Sequence, residues 1–273
     1  MKLSAVVAVV LLFPPAAAAH LRTGTVAVDF RARLVTRPVG PVSVGVYQSD
    51  RAIHLRVQPG HSALVYGYLG DPLLRVGRLG SAAATSSPTA QAARVTVNGR
   101  SAVWHDVRTS NARWSIPIKV DGRLGVIVGV TERLTRPTLW LWLAITAAVG
   151  LGVAATRSAA AAGLVSATAA IAVALGFALS AYASPGTWIA GLDELAFAAA
   201  GVAVLRFGPR AARVPAALWL SLIGLAVGLS KGEVFLHAFV LSTIPGTATR
   251  VLAAGAIGAG IAGGALSGVS YLR

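Results

Sequence analysis

Five long apolar segments in the second half of the chain constrain its fold more than any other feature of the sequence. A helix needs about 20 predominantly apolar residues to cross a bilayer, and each segment comes close to that length. The sequence therefore predicts an α-helical membrane bundle of about five transmembrane helices in a domain that comprises residues 137–273. The five segments are 138–156, 159–183, 188–205, 214–229 and 251–270.

The region near residues 230–250, between the last two segments, carries an apolar core that is too short to cross a bilayer. It predicts a short interfacial or re-entrant helix that ends near Pro245 on the outer side of the membrane. The last apolar segment contains three glycines spaced four residues apart, which gives one glycine face. Such a face allows close helix packing, within the bundle or in a dimer. These glycines are Gly260, Gly264 and Gly268.

The N-terminus has the three parts of a secretory signal peptide. Lys2 is followed by an apolar run that is too short to span a bilayer comfortably, by two prolines, and by the small residues Ala17 and Ala19. The sequence therefore predicts a signal peptide over residues 1–19, with cleavage after Ala19. The alternative is an uncleaved anchor helix. Cleavage makes His20 the first residue of the mature protein, with a free α-amine.

Residues 20–136 show the alternation of apolar and polar residues that is typical of strands. The pairs Asn98–Gly99 and Asp121–Gly122 are strong signals for hairpin turns. Short strands at close spacing predict an all-β extracytoplasmic sandwich domain ahead of the bundle. Within it, Pro117 favours an edge position for its strand, and residues 78–94 fit no strand pattern and predict a long surface loop.

The charges of the connecting loops predict the orientation of the bundle. Arg206, Arg210 and Arg213 lie close together between the third and fourth segments, whereas the loop between the second and third segments has no charge. Basic loops stay in the cytoplasm. The sequence therefore predicts a multi-pass protein of the cell membrane, with its N-terminal domain outside and its C-terminus in the cytoplasm, and the lipid bilayer as its first partner.

Composition excludes several classes of function. The chain has no cysteine, so disulfides and thiolate metal sites are excluded. The net charge of +15 comes almost entirely from arginine. An arginine- and alanine-rich chain with few lysines is typical of a high-GC genome, so we do not predict nucleic-acid binding, which favours basic residues clustered with aromatics. The sequence contains no cysteine nucleophile and no P-loop or HExxH motif, and we do not predict an enzyme.

A metal site, most readily for copper, is the sharpest chemical hypothesis. An N-terminal His20 offers its amine and its imidazole, and a second imidazole would complete a three-nitrogen set, which suits copper. His105 is the best internal candidate, with Asp106 as a direct ligand or as the group that orients the ring. His54 and His61 are alternatives. The competing interpretation is that His105 is a structural residue beside Trp104.

A second group of polar residues falls near the predicted outer interface. Acidic residues inside membrane segments are costly and often functional, and residues four apart share a helix face. The group predicts an ion site or a docking surface, or alternatively a set of ion pairs with Lys231 and Arg250. Its members are Asp193, Glu194, Glu233 and His237.

Several motifs resemble one family of exported polytopic membrane proteins from high-GC Gram-positive bacteria. The motifs are VYGYLGDPLLRV (65–76), WHDVR (104–108), WSIPIKVDGR (114–123) and VLSTIPGTATR (240–250). The resemblance implies a signal peptide, a sandwich-like domain and a C-terminal bundle, and it implies no particular activity. This chain departs from the family pattern at Asp71 and Leu73, where the family has Glu and Tyr, and at Val107, where the family has a second histidine.

These features support two hypotheses of function. In the first, the exported domain binds or handles a metal ion, such as copper, at the cell surface through His20 and His105. In the second, the chain is a structural or partner-docking module, and its partner is another membrane protein. The two differ in one requirement, because metal handling needs the free amine of His20 and docking does not.

Overall fold

The computed structural model describes residues 25–36, 40–77, 80–84, 86–180 and 192–272, with the side chains of 192–194 and 272 left out. The described chain divides into two compact units. The β unit is Val28–Thr135, and the helical unit comprises Arg136–Arg273 together with the residues up to Ala27.

Two antiparallel sheets build the β unit. Six of the described strands form the first sheet, in the order β2 (Phe30–Thr36), β11 (Arg123–Arg133), β10 (Arg113–Val120), β5 (Ala63–Tyr66), β6 (Pro72–Gly77) and β7 (Gly80–Ala83). Four form the second sheet, in the order β3 (Val42–Val46), β4 (Ile53–Val57), β9 (Ser101–Trp104) and β8 (Thr96–Asn98).

Both sheets contribute side chains to one hydrophobic core, which is the arrangement expected of a sandwich. The alternation that predicted the strands determines which side chains enter it. In β10, Trp114, Ile116 and Ile118 are buried while the intervening residues are exposed. Ile53 and Leu55 of β4 enter the core from the second sheet.

Both predicted hairpins are present. Val120 pairs with Arg123 across the turn at Asp121 and Gly122, and both turn residues have positive φ, 46° and 83°. This is the conformation of a type I′ turn, which matches the twist of the flanking strands. Asn98 likewise pairs with Ser101 at the β8–β9 turn.

Two predictions for the β unit are wrong. Strand β10 lies inside its sheet, between β11 and β5. Its ladder with β5 covers only Ile118–Val120, so Pro117 sits just beyond that ladder, where the sheet does not need its missing N–H. The predicted loop 78–94 contains strand β7 and a short helix, α1 (Pro88–Ala92), which Ser87 caps by accepting from the Ala90 N–H at 3.1 Å.

Five longer helices form the helical unit: α2 (Leu139–Ala155), α3 (Ala159–Ala178), α4 (Leu192–Phe207), α5 (Arg210–Ser230) and α6 (Gly246–Leu272). Among the described residues, three of them are long and apolar enough to cross a membrane: Ala159–Ala178, Arg210–Ser230 and Gly246–Tyr271. The prediction of five spans is therefore corrected to three candidates. Helix α2 has 17 residues and is about 25 Å long, less than the hydrocarbon core of about 30 Å. The described part of α4 is also short.

The region near residues 230–250 forms no interfacial helix. It contains a 3₁₀ turn, η2 (Gly232–Phe235), and a two-residue strand, β12 (Phe239–Val240), which pairs with β1 (Ala27–Val28). The Leu241 N–H also donates to the Val26 carbonyl at 2.9 Å. Val234 and Val240 then pack with Trp142 of α2 and Val173 of α3 in one core cluster.

The three glycines of the predicted face of α6 differ in how closely other helices approach them. A Cβ on Gly260 would lie 2.9 Å from the Ser221 carbonyl oxygen and 2.9 Å from the Leu225 Cβ, both on α5. Gly264 and Gly268 have no such neighbour within 4 Å. Close packing within the bundle therefore accounts for Gly260 and leaves the other two on an open side of the helix.

Candidate functional site

The WHDVR motif (104–108) leaves strand β9 and enters a 3₁₀ turn, η1 (Val107–Ser110). Asp106 caps this turn by accepting from the Arg108 N–H at 3.1 Å. Its carboxylate also accepts from the Arg108 guanidinium at 2.8 Å (Nε) and 2.7 Å (Nη2). The Trp104 indole N–H donates to the same carboxylate at 3.4 Å.

These contacts give Asp106 a structural role, and its predicted role beside a metal stays a prediction. The side chain is 2% exposed, and its oxygens are occupied by donors from Arg108 and Trp104. A carboxylate held in this way is a structural group, because its two oxygens already accept charge-assisted hydrogen bonds. Among the described contacts, its oxygens make no hydrogen bond to the His105 ring.

Arg108 extends this structural role across the unit. Its Nη2 donates to the Tyr66 carbonyl at 2.9 Å, at the end of β5. The guanidinium therefore joins the β9–η1 connection to the β5–β6 hairpin. Tyr66 lies in the motif VYGYLGDPLLRV and Arg108 lies in the motif WHDVR. These two motifs therefore include residues that make a structural contact within the β unit.

His105 makes a different contact from the one predicted. Its Nε2 lies 2.9 Å from Oδ2 of Asp50, in the turn between β3 and β4, and both side chains are nearly half exposed. The backbone holds His105 in place, because its N–H donates to the Ala93 carbonyl at 2.7 Å. A cavity beside the ring measures only about 10 Å³, which is room for about one water molecule. Asp50 was missed by the sequence analysis.

The other candidate histidines lie elsewhere on the β unit. Nδ1 of His61 lies 2.6 Å from Oδ2 of Asp121, at the β10–β11 turn. This contact lowers the pKa of Asp121, with a second contribution from the Ser62 N–H, which donates to Oδ1 at 2.9 Å. His54 packs beside Tyr47, with ring centroids 4.9 Å apart. Among the described residues, no three His, Asp or Glu side chains are grouped to hold a metal ion, and His20 lies outside the described residues.

The second polar group of the sequence analysis is only partly described. The side chains of Asp193 and Glu194 lie outside the described residues. Glu233 is exposed in η2, and His237 follows it by one turn, because the His237 N–H donates to the Glu233 carbonyl at 3.1 Å. The helix does not continue past that turn.

Arg250 of α6 holds this segment through backbone carbonyls. Its guanidinium donates to the carbonyls of Val234, His237 and Ala238 at 2.7, 2.7 and 2.8 Å. The side chain is buried and lies over the Trp142 ring, 5.9 Å from its centroid. These contacts give Arg250 a structural role that the predicted ion pairs with acidic side chains did not include.

Asp71 organises the segment that was predicted as a loop. Its carboxylate accepts from the hydroxyl of Ser87 and, at 2.7 Å, from that of Thr89. These two hydrogen bonds, with Ser87 contributing most, lower the pKa of Asp71, so the group is ionised at neutral pH. Asp71 thus anchors the start of α1 to the β5–β6 hairpin.

The sequence analysis also missed a groove on the first sheet. It has a volume of about 390 Å³, and its walls include the cations Arg75 of β6 and Lys119 of β10. Leu64 of β5 lies between them, directly opposite Arg75 on one side and Lys119 on the other. The other lining residues are Ser62, Ala63, Gly77, Gly80 and Gly122.

Comparison of the chain with protein-family models, with curated proteins and with solved structures finds no match in any of the three. The fold and the described contacts define the class: a chain with a β-sheet unit followed by a helical unit in which three helices are candidates to span a membrane. The family resemblance seen in the sequence stays a prediction.

Proposed function

We propose that this chain is an integral membrane protein that presents its β unit outside the cytoplasm as a metal-binding module. The membrane part of the proposal is supported by three helices of spanning length and composition. The orientation is supported by the basic loop at residues 206–213 and by the signal-like N-terminus.

The observation that carries the metal proposal is the contact between His105 and Asp50. When two donor atoms each bind one ion at about 2.1 Å and their bonds meet at a right angle, the two donor atoms lie about 3 Å apart. The Nε2 and Oδ2 atoms form a hydrogen bond of 2.9 Å on an accessible surface, and an ion bound by both would replace that hydrogen bond. Imidazole and carboxylate are ligands that copper and zinc both accept. The proposed site therefore uses Asp50 in place of Asp106, and the amine and ring of His20 would supply the further donors.

Titration of the full chain in detergent with Cu(II), followed by electron paramagnetic resonance, tests this proposal. We expect saturable binding that weakens at least about tenfold in His105→Ala and in Asp50→Asn, because loss of even an outer-shell partner costs about 10- to 100-fold. The matched control is His61→Ala, which removes another surface histidine that contacts an aspartate and should leave the affinity unchanged.

A second variant tests the predicted role of the N-terminus. One glycine inserted before His20, with the mature N-terminus verified by mass spectrometry, moves the amine away from the imidazole. We expect the spectrum to lose one nitrogen ligand and the affinity to fall. Wild-type affinity in both His105→Ala and the glycine insertion would overturn the metal-binding function.

One observation favours the alternative function of a partner-docking module. Leu124 of β11 is 79% exposed, and Val126 is exposed beside it on the outer face of the first sheet. An apolar strip of this kind is typical of an interaction surface. A photo-crosslinking residue at Leu124 should give one discrete adduct with a membrane protein in cells, and the same residue at exposed Arg56, on the second sheet, should give none. Equal adducts from both positions would contradict docking.

A further inference from the structure

We propose that the groove between Arg75 and Lys119 on the first sheet binds a phosphate group, either free or carried by a lipid headgroup. The inference goes beyond the metal site, since the groove residues are separate from His105 and Asp50. Three observations carry it: the register that brings the two cations together, the state of their charges and the shape of the groove.

The strand register places the two cations on the same side of the sheet. Lys119 and Arg75 are the cross-strand neighbours of Leu64 on its two sides. Neighbouring strands are about 4.8 Å apart, so the two backbones are separated by about 10 Å. Side chains of this length bridge that distance over Leu64, and both line the same groove. An anion seated above Leu64 would therefore meet both cations.

The charges of these two side chains are not neutralised within the described structure. Among the described residues, neither Arg75 nor Lys119 forms an ion pair or a side-chain hydrogen bond. Positions 78 and 79 are among the residues that are not described. The carboxylate of Asp121, next to the groove, is engaged by His61 and by the Ser62 N–H. Two cations that face the same cavity repel each other, and a bound anion would relieve this repulsion.

The shape of the groove also suits an anion with several oxygens. The rim at Gly80 and Gly122 carries no side chain, and a Cβ built at either position would meet nothing within 4 Å. Among the described residues, the groove is therefore unobstructed at these two glycines, and Leu64 lines it between the two cations. Arginine binds two phosphate oxygens through its planar fork, and lysine adds a point charge. The Ser62 hydroxyl is also in the lining and donates to Oδ1 of Asp121 at 3.4 Å.

The test uses the full chain in a maltoside detergent, whose headgroup carries no phosphate, with EDTA present so that no metal takes part. Inorganic phosphate and glycerol phosphate are titrated separately by calorimetry. We expect saturable binding that weakens about tenfold or more in Arg75→Gln and in Lys119→Gln, because charge-assisted hydrogen bonds are the strong ones. Arg56→Gln removes the same charge from the second sheet and should leave binding unchanged.

Two further measurements are needed. The first distinguishes a free phosphate from a lipid headgroup, and the second tests whether a loss of phosphate binding is caused by charge. Protection of β5, β6 and β10 from hydrogen exchange that is stronger in phosphatidylglycerol nanodiscs than in phosphatidylcholine nanodiscs, whose phosphate is balanced by choline, would identify a net anionic lipid headgroup. Binding of inorganic phosphate without this protection would identify the free ion. Leu64→Glu places a carboxylate between the two cations and should abolish binding, whereas the size-matched Leu64→Gln should retain it. No saturable binding of any of these probes, or an equal loss in Arg56→Gln, overturns the proposal.

Discussion

Asp106→Ala should destabilise the β unit by about 3–5 kcal/mol, which is the cost of removing one partner from a buried ion pair. The substitution leaves the guanidinium of Arg108 without its carboxylate, and that side chain is only 17% exposed. It also removes the cap of η1 and the acceptor of the Trp104 indole N–H. Hydrogen exchange of β-unit peptides in the full chain measures the loss, since exchange reports the free energy of opening.

The matched control for this prediction is the exposed pair between Arg33 and Glu132. Its Nη2–Oε1 distance is 3.1 Å, and its side chains are 61% and 49% exposed. Exposed pairs contribute about 0–1 kcal/mol, so Glu132→Ala should change exchange very little. Asp106→Asn keeps the size of the side chain and one acceptor oxygen. Its loss of stability should therefore lie between those of Asp106→Ala and Glu132→Ala. If Asp106→Ala costs no more than Glu132→Ala, the ion pair does not stabilise the unit.

The contacts of Asp106 show which information the sequence alone did not carry. A histidine followed by an aspartate is compatible with a metal ligand and its orienting group, and the sequence also supplies Arg108 two residues later. Only the turn at η1 brings that guanidinium onto the carboxylate. Asp50, the residue that contacts His105, is 55 positions away in the chain, and no local pattern marks such a partner.

The strands and hairpins were predicted well because their signals are local. The alternation of Trp114, Ile116 and Ile118 determines which face is buried, and the Asp121–Gly122 turn needs only two adjacent residues with positive φ. Residues 78–94 carry no comparable signal, since their alanines and serines show no alternation. Their order depends on hydrogen bonds from Ser87 and Thr89 to Asp71, which lies on another hairpin.

Hydropathy located the helices but not their ends. Helix α3 begins where Ser158 caps it, accepting from the Ala161 N–H at 3.2 Å, and it ends at Ala178, five residues before the predicted end of that span. Helix α2 ends at Ala155. Apolar residues continue past these two ends, whereas α5 and α6 extend beyond the apolar segments 214–229 and 251–270 that predicted them. Composition therefore marks the middle of a helix and not its ends. The prediction of five spans therefore exceeds the three candidates in the described structure.

Gly258→Ala should destabilise the helical unit by about 1–3 kcal/mol, the usual cost of overpacking a tight contact. A Cβ at this position of α6 would overlap the Thr146 carbonyl oxygen and lie 3.0 Å from the Gly150 nitrogen, both on α2. These are backbone atoms, so a side-chain rotation cannot relieve the overlap and the two helices must separate. Thermal unfolding in detergent, followed by circular dichroism at the helical signal, measures the change.

Gly264→Ala on the same helix is the control that isolates packing from helix propensity. Alanine favours a helix over glycine by about 1 kcal/mol at either position, but a Cβ at Gly264 would meet nothing within 4 Å. We therefore expect Gly264→Ala to be neutral or slightly stabilising while Gly258→Ala lowers the melting temperature. Equal stability of the two variants would mean that α2 and α6 do not approach closely at Gly258. A loss at Gly264 instead would mean that this open glycine face packs against something outside the described bundle, as a dimer interface would require.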